Sequence, residues 1–237
     1  MTHKQTTPKL IKSEFPHSRA FLAYHGIDVA GLNYVVGHPA DGLRGSRGLT
    51  DLSEKVIYVA DAQEKTGLDL VNTHELVHLS DSTKPILRPF IENGTLPFRV
   101  LAYLEGRALL VEKIAAVEKG LKRAYNLNVA LAVVVDTLAP AALGATACTY
   151  ALTKAFSMSS AAFFALGIFF VRYAVGNVFA KLPHLIGSSF MSEVHEQLGQ
   201  NLEQTLNATE KLIPTFFDLF SPNAYVKKLN EIAEEEI

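Results

Sequence analysis

The chain has 237 residues, with 22 Lys and Arg against 24 Asp and Glu, for a formal net charge of −2. That length can bury a sizeable core, and the charge balance provides no basic field for a nucleic-acid partner. The single cysteine, Cys148, excludes an intramolecular disulfide and fits a reducing compartment.

Residues 1–18, "MTHKQTTPKLIKSEFPHS", are polar and broken by Pro8 and Pro16. They read as a mobile arm without the apolar core of a secretory signal. Asn93-Gly94-Thr95 and Asn207-Ala208-Thr209 fit the glycosylation pattern, but without a secretory signal they read as chance matches.

Two strands are expected next, "LNYVVG" (32–37) and "KVIYVAD" (55–61). Both are rich in Val, Ile and Tyr and bounded by turn residues. The glycine-containing stretch "GHPADGLRGSRG" between them reads as a loop. No P-loop Lys-Ser/Thr follows it, so a phosphate cradle is disfavoured.

Two helices follow. The first is expected from Leu68-Asp69 to Ser82, ending before Pro85. After a proline-broken linker, the second runs over 98–123, with Leu101, Leu104, Ala108, Val111 and Ala115 forming an apolar stripe.

The first helix carries "HELVH" at 74–78. Residues four apart share a helix face, so His74 and His78 can direct two imidazoles at one ion. Zinc takes imidazole nitrogen at about 2.0–2.1 Å in a near-tetrahedral shell. Glu75 lies roughly 100° further round the helix, offset as a general base must be. The bland reading is two free histidines on an amphipathic helix with Glu75 in water.

A catalytic zinc needs a third protein ligand. Glu105, in "YLEGRA" on the second helix, has Leu101, Ala108 and Leu109 around it, and a buried unpaired carboxylate there would be costly. Gly106 beside it would allow close helix approach. Glu112, seven residues on and so on nearly the same face, is the rival ligand.

His74-Glu75-Leu76-Val77-His78 followed by Glu105-Gly106-Arg107-Ala108 resembles the gluzincin group of zinc metallopeptidases over about residues 55–118. The resemblance implies that His74, His78 and Glu105 bind Zn2+ and that Glu75 is the catalytic base. Asp81 would orient a ligand imidazole from behind. Tyr103 is the named candidate for stabilising an oxyanion, with Arg107, His184 and His195 also open. The implied substrate is a peptide or protein. No exopeptidase motif accompanies the pattern, so the expected activity is endopeptidase.

Residues 124–190 are strongly apolar. Asp136 is the only formal charge between Arg123 and Lys154, and 155–171 has none. The stretches 129–153 and 159–180 each reach the ~20 residues that cross a bilayer core, and small residues are dense in both. They read as a helical hairpin, either spanning a membrane or buried in a soluble protein. Lys113, Lys119, Lys122, Arg123 and Lys181 flank it against Lys154 at its turn. This bias faces the zinc site to the cytoplasm. Over 191–237 the pattern returns to amphipathic helix.

The fold expected is therefore α+β and predominantly helical. A minimal zincin-like domain (19–123) with a short N-terminal sheet precedes the apolar hairpin (124–190) and the C-terminal helices. The alternative function is a membrane-inserting or partner-binding helical protein whose metal site is structural, degenerate or absent.

Overall fold

A computed structural model describes residues 15–29, 32, 35–37, 48–59, 64, 68–94, 96–153, 158–199 and 201–235. The chain is a predominantly helical α+β protein. It divides into two compact units, residues 1–116 with 184–237, and residues 117–183.

The first unit opens with α1 (Pro16–Tyr24). Residues 1–14 of the expected arm lie outside the described residues, whereas Phe15 is fully buried and joins the core. The first turn of α1 receives its carboxylate from elsewhere in the chain. Glu64 accepts from the His17 and Ser18 amides at 2.8 and 3.0 Å and from the Ser18 hydroxyl, satisfying amides that a helix start leaves unpaired.

A three-stranded sheet follows, ordered β1-β3-β2. Strand β1 (Val35–Gly37) runs parallel to β3 (Val56–Val59), and β2 (Gly48–Asp51) runs antiparallel to it. Val56, Ile57 and Val59 fix the register by burying into the core. Both expected strands are present but short. Strand β2 lies where the loop expected over 37–48 was to end and continues past it. Its turn to β3 is held by the Asp51 carboxylate, which accepts from the Ser53 and Glu54 amides at 3.0 Å each.

Helix α2 (Leu70–Asp81) starts at an N-cap, Asp69, whose carboxylate accepts from the Val71 and Asn72 amides at 2.8 and 3.1 Å. Every residue from Asn72 to Asp81 is buried. Short α3 (Arg88–Glu92) occupies the linker, and α4 (Phe98–Glu118) buries most of its length. Helix α4 ends five residues earlier than expected, because Gly120 adopts φ +69° and turns the chain.

In the second unit the first apolar stretch is not one uniform helix. It is α5 (Lys122–Val133), a π-helical turn (Val134–Leu138) and α6 (Ala139–Thr153). The turn expected at 154–158 falls mainly outside the described residues. The second stretch opens α7 (Met158–Leu198), which runs well past the expected limits of 180 and 190. Pro183 is tolerated inside it, and the stop comes at Gly199, φ +59°.

The burial pattern of this unit is reversed relative to a soluble core. Small residues are inside: a Cβ on Gly144 would lie 2.9 Å from Gly167 O, and Ala151 and Ala174 are buried. Large apolar side chains such as Leu143, Leu152, Phe163, Phe169 and Phe179 are exposed. Among the described residues one helix, at Ala162–Leu198, is long and apolar enough to cross a membrane.

After α7 the first unit resumes with α8 (Leu202–Thr209), capped by Asn201, a 3-10 turn (Asp218–Phe220) and α9 (Pro222–Glu235). The C-terminal part of α7 packs on α4 through two glycines. A Cβ on Gly106 would collide with Gly187 O, and one on Gly187 with Ala102 O. We expect Gly187→Ala to cost about 1–3 kcal/mol, since neither backbone can give way. Gly176→Ala, where a Cβ meets nothing within 4 Å, should be neutral or stabilising by up to about 1 kcal/mol. Thermal unfolding of the full chain followed by circular dichroism distinguishes the two.

Candidate metal centre

Helix α2 is buried on all sides, so its polar side chains must find partners inside the protein. One group of these partners forms a cluster. His74 Nε2 and His78 Nε2 are 3.1 Å apart, with the rings edge to face. Glu105 Oε2 lies 3.4 Å from His74 Nε2, and Glu105 Oε1 lies 3.5 Å from His78 Nε2. The i, i+4 spacing on α2 brings the imidazoles together. The glycine crossing beside Glu105 draws α4 and α7 to close range.

A tetrahedral ion with ligands at about 2.0–2.1 Å places its donor atoms roughly 3.3–3.4 Å apart. The imidazole edge is 3.1 Å and the two edges to Glu105 run to different carboxylate oxygens, so an ion held between the imidazoles would meet one or both of them. Two nitrogens and a carboxylate oxygen also suit zinc chemically. Glu105 Oε2 is buried and accepts no aligned hydrogen bond among the described residues. The imidazoles of His74 and His184 approach it, at 3.4 and 3.1 Å.

The electrostatics agree. Burial pulls the His74 imidazole down, but the Glu105 and Glu112 carboxylates outweigh it and push it up to about 10. Burial raises the Glu105 carboxyl, yet His78 and His74 together hold it well below the usual carboxylate range. The cluster is built for positive charge: without a metal, a proton supplies it.

Glu112 and Glu105 take different places. Glu112 Oε2 sits 3.1 Å from His74 Nδ1, on the opposite side of the ring from Glu105. Glu105 is thus the carboxylate that faces both imidazole Nε2 atoms. Glu112 accepts from the outer nitrogen, fixing the tautomer that leaves Nε2 free.

Asp81 does not have the expected role. It is buried two turns beyond His74, and both carboxylate oxygens accept from Arg107 Nε at 3.1 and 3.0 Å. Tyr103 is likewise removed from the site. Its hydroxyl donates to Thr209 O at 2.7 Å on the far side of α4 from Glu105, and burial pushes it up to about 12. Arg107 also donates to Leu206 O at 2.9 Å and to the Thr209 hydroxyl at 2.7 Å. The three residues form a buried clamp joining α2, α4 and α8.

His195 contacts the Thr205 hydroxyl and stays clear of the cluster. Of the four oxyanion candidates, His184 is the one at the site. Its Nε2 lies 3.1 Å from Glu105 Oε2, with the ring half exposed. Burial lowers its pKa, so it favours the neutral form.

Glu75 faces the same space. Its carboxylate accepts from the Thr50 hydroxyl at 2.7 Å, and Gly48 packs so closely that a Cβ there would lie 2.6 Å from Glu75 Oε1. Strand β2 therefore holds the base candidate in place. The sequence signal for this was slight: in "GLTD" only Thr50 is β-branched, ahead of a turn former. The cavity in front measures about 510 Å³ and is lined by Leu49, Phe90, Leu96 and Leu101 besides the polar cluster.

Comparison with known proteins finds no match: no protein-family model, no curated protein and no solved structure matches the chain.

The clamp behind the cluster has a measurable consequence. Arg107→Met leaves Asp81, 1% exposed, as a buried carboxylate without its cation, and should cost about 3–5 kcal/mol. Adding Asp81→Asn to that variant should recover part of the loss. Denaturant unfolding of the single and double variants checks both.

Proposed function

We propose that the chain is a zinc-dependent endopeptidase of gluzincin type, associated with a membrane through the unit at 117–183. The observation that carries the enzymatic reading is the His74–His78–Glu105 cluster, whose donor atoms lie close enough together to hold one ion, with Glu75 beside it. Zinc held there would supply a Lewis acid for the scissile carbonyl and a bound water with its pKa lowered to about 7.

The remaining chemistry falls to the chain's own groups. Glu75 takes a proton from water in the cavity and delivers it to the leaving amine. The Thr50 hydroxyl occupies one Glu75 oxygen, which fixes the carboxylate's direction. Neutral His184 offers an N–H to the developing oxyanion. Glu112 keeps His74 in the tautomer with Nε2 turned toward the cavity. The apolar cavity wall suits an apolar substrate side chain.

The membrane reading rests on the reversed burial of the second unit. In lipid, large apolar side chains face outward while small residues let helices approach closely. Lys113, Lys119, Lys122 and Arg123 before the hairpin and Lys181 after it, against Lys154 at its turn, support a topology with both ends and the metal site facing the cytoplasm.

Metal analysis of the purified chain should find about one zinc per chain in wild type, and none in His74→Ala. Glu75→Gln should keep the metal and lose peptide cleavage by roughly 10²–10⁴-fold. A wild type that takes up no zinc returns the chain to the alternative, a helical membrane or partner-binding protein.

Zinc affinity should also depend on pH with a definite sign. Metal-free His74, raised to about 10, holds its proton throughout pH 6–8 and must release it to bind zinc. Glu105 is already ionised there and adds no slope. Apparent affinity should therefore rise about tenfold per pH unit across that window. Glu112→Gln should weaken zinc binding by about 10–100-fold. Competition with a chromophoric chelator measures both.

A further inference from the structure

A second feature lies outside the metal cluster. The segment "KLIPTFFDLFSPNAYVKK" (211–228) exposes three phenylalanines: Phe217 at 81%, Phe220 at 60% and Phe216 at 51%. Phe98, at the start of α4, adds a fourth at 36%. The rings form one group, with Phe216 6.2 Å from Phe98, 6.2 Å from Phe217 and 5.3 Å from Phe220. Single exposed apolar residues need no explanation, but a contiguous aromatic patch does.

The loop is held rigidly from beneath. Asp218 and Leu219 are buried at 3% and 4%. The Asp218 carboxylate accepts from the Thr215 amide and hydroxyl at 2.8 Å each and from Lys228 Nζ at 2.7 Å. Arg99 donates to Pro214 O at 3.0 Å. This anchoring turns the one acidic side chain of the segment inward and leaves the aromatic rings outside.

The charges around the patch indicate what covers it. The segment contains Lys211, Lys227 and Lys228 against Asp218 alone, and Asp218 is engaged by Lys228. Arg99 adds a further cation at the base of the loop. Lys227 pairs with Glu231 one turn on, at 3.8 Å with both side chains largely exposed, while Glu234 and Glu235 lie at the end of α9. An aromatic centre with basic residues around it complements an anionic lipid surface, apolar within and negative at the headgroups.

We propose that Phe216, Phe217 and Phe220 dip into the interfacial layer of an anionic membrane. They form a lipid contact on the unit that carries the metal cluster, separate from the apolar helices of residues 117–183. This inference does not depend on zinc or on peptidase activity.

The chain has no tryptophan, so Phe217→Trp introduces a single fluorescent reporter in the loop. Tyr24→Trp, on α1 and equally exposed at 81%, provides the comparison. The full chain is reconstituted into phosphatidylcholine–phosphatidylserine vesicles, with and without lipids brominated along the acyl chain. The Phe217→Trp protein should emit to the blue of the Tyr24→Trp protein. Brominated lipid should quench it and aqueous iodide should spare it, with the opposite pattern for Tyr24→Trp. Phe220→Trp gives a second reporter should the first variant fold poorly. Iodide quenching of both loop reporters equal to that of the α1 reporter overturns the proposal. Shielding from iodide without quenching by brominated lipid also overturns it, because the loop is then covered by protein.

Discussion

A helix buried on every side has nowhere to put polar side chains except against other parts of the protein. Helix α2 carries Asn72, Thr73, His74, Glu75, His78, Ser80 and Asp81 into the core. An unpaired group there would cost as much as several good contacts contribute. Much of the surrounding architecture meets that demand. Strand β2 brings the Thr50 hydroxyl to Glu75, and α4 brings Arg107 to Asp81 and Glu112 to His74. The Ser18 hydroxyl on α1 accepts from Thr73 at 2.9 Å. At one place two imidazoles and the buried Glu105 carboxylate face one another as a group that could hold a metal ion.

The same principle works in reverse in the other unit. Among the described residues between Val117 and Pro183, large apolar side chains such as Leu152, Phe169 and Phe179 are turned outward. Water is a poor solvent for such a surface, and hydrocarbon is a good one. Contact between Gly144 and Gly167 suits association where no hydrophobic force draws helices together.

Much of this was legible in the sequence where the determinants are local. The first helix, expected from Leu68-Asp69 to Ser82 before Pro85, is found at Leu70–Asp81. The valine-rich "KVIYVAD" marked the central strand. What escaped depends on contacts distant in sequence. Glu105 and Glu112 share a face of α4, so spacing alone could not rank them; the ring of His74, lying between the two carboxylates, assigns each its side. Asp81 was expected to support an imidazole because it follows His78 closely. Arg107, 26 residues later, claims both of its oxygens. Tyr103 lies across α4 from Glu105, and two residues of helix, about 200°, suffice to exclude it. His184 reaches the site only because Gly187 lets α7 lie against α4, a pairing with no signal in either segment alone.

The central claim is that His74, His78 and Glu105 together hold one metal ion. X-ray absorption at the zinc edge of the loaded full chain tests it most directly. The account predicts a first shell of light atoms at about 2.0–2.1 Å, with outer-shell scattering from two imidazoles that falls to one in His78→Ala. A shell containing sulfur, which could come only from Cys148 or a methionine, would contradict it. So would a spectrum that the His78→Ala change leaves unaltered.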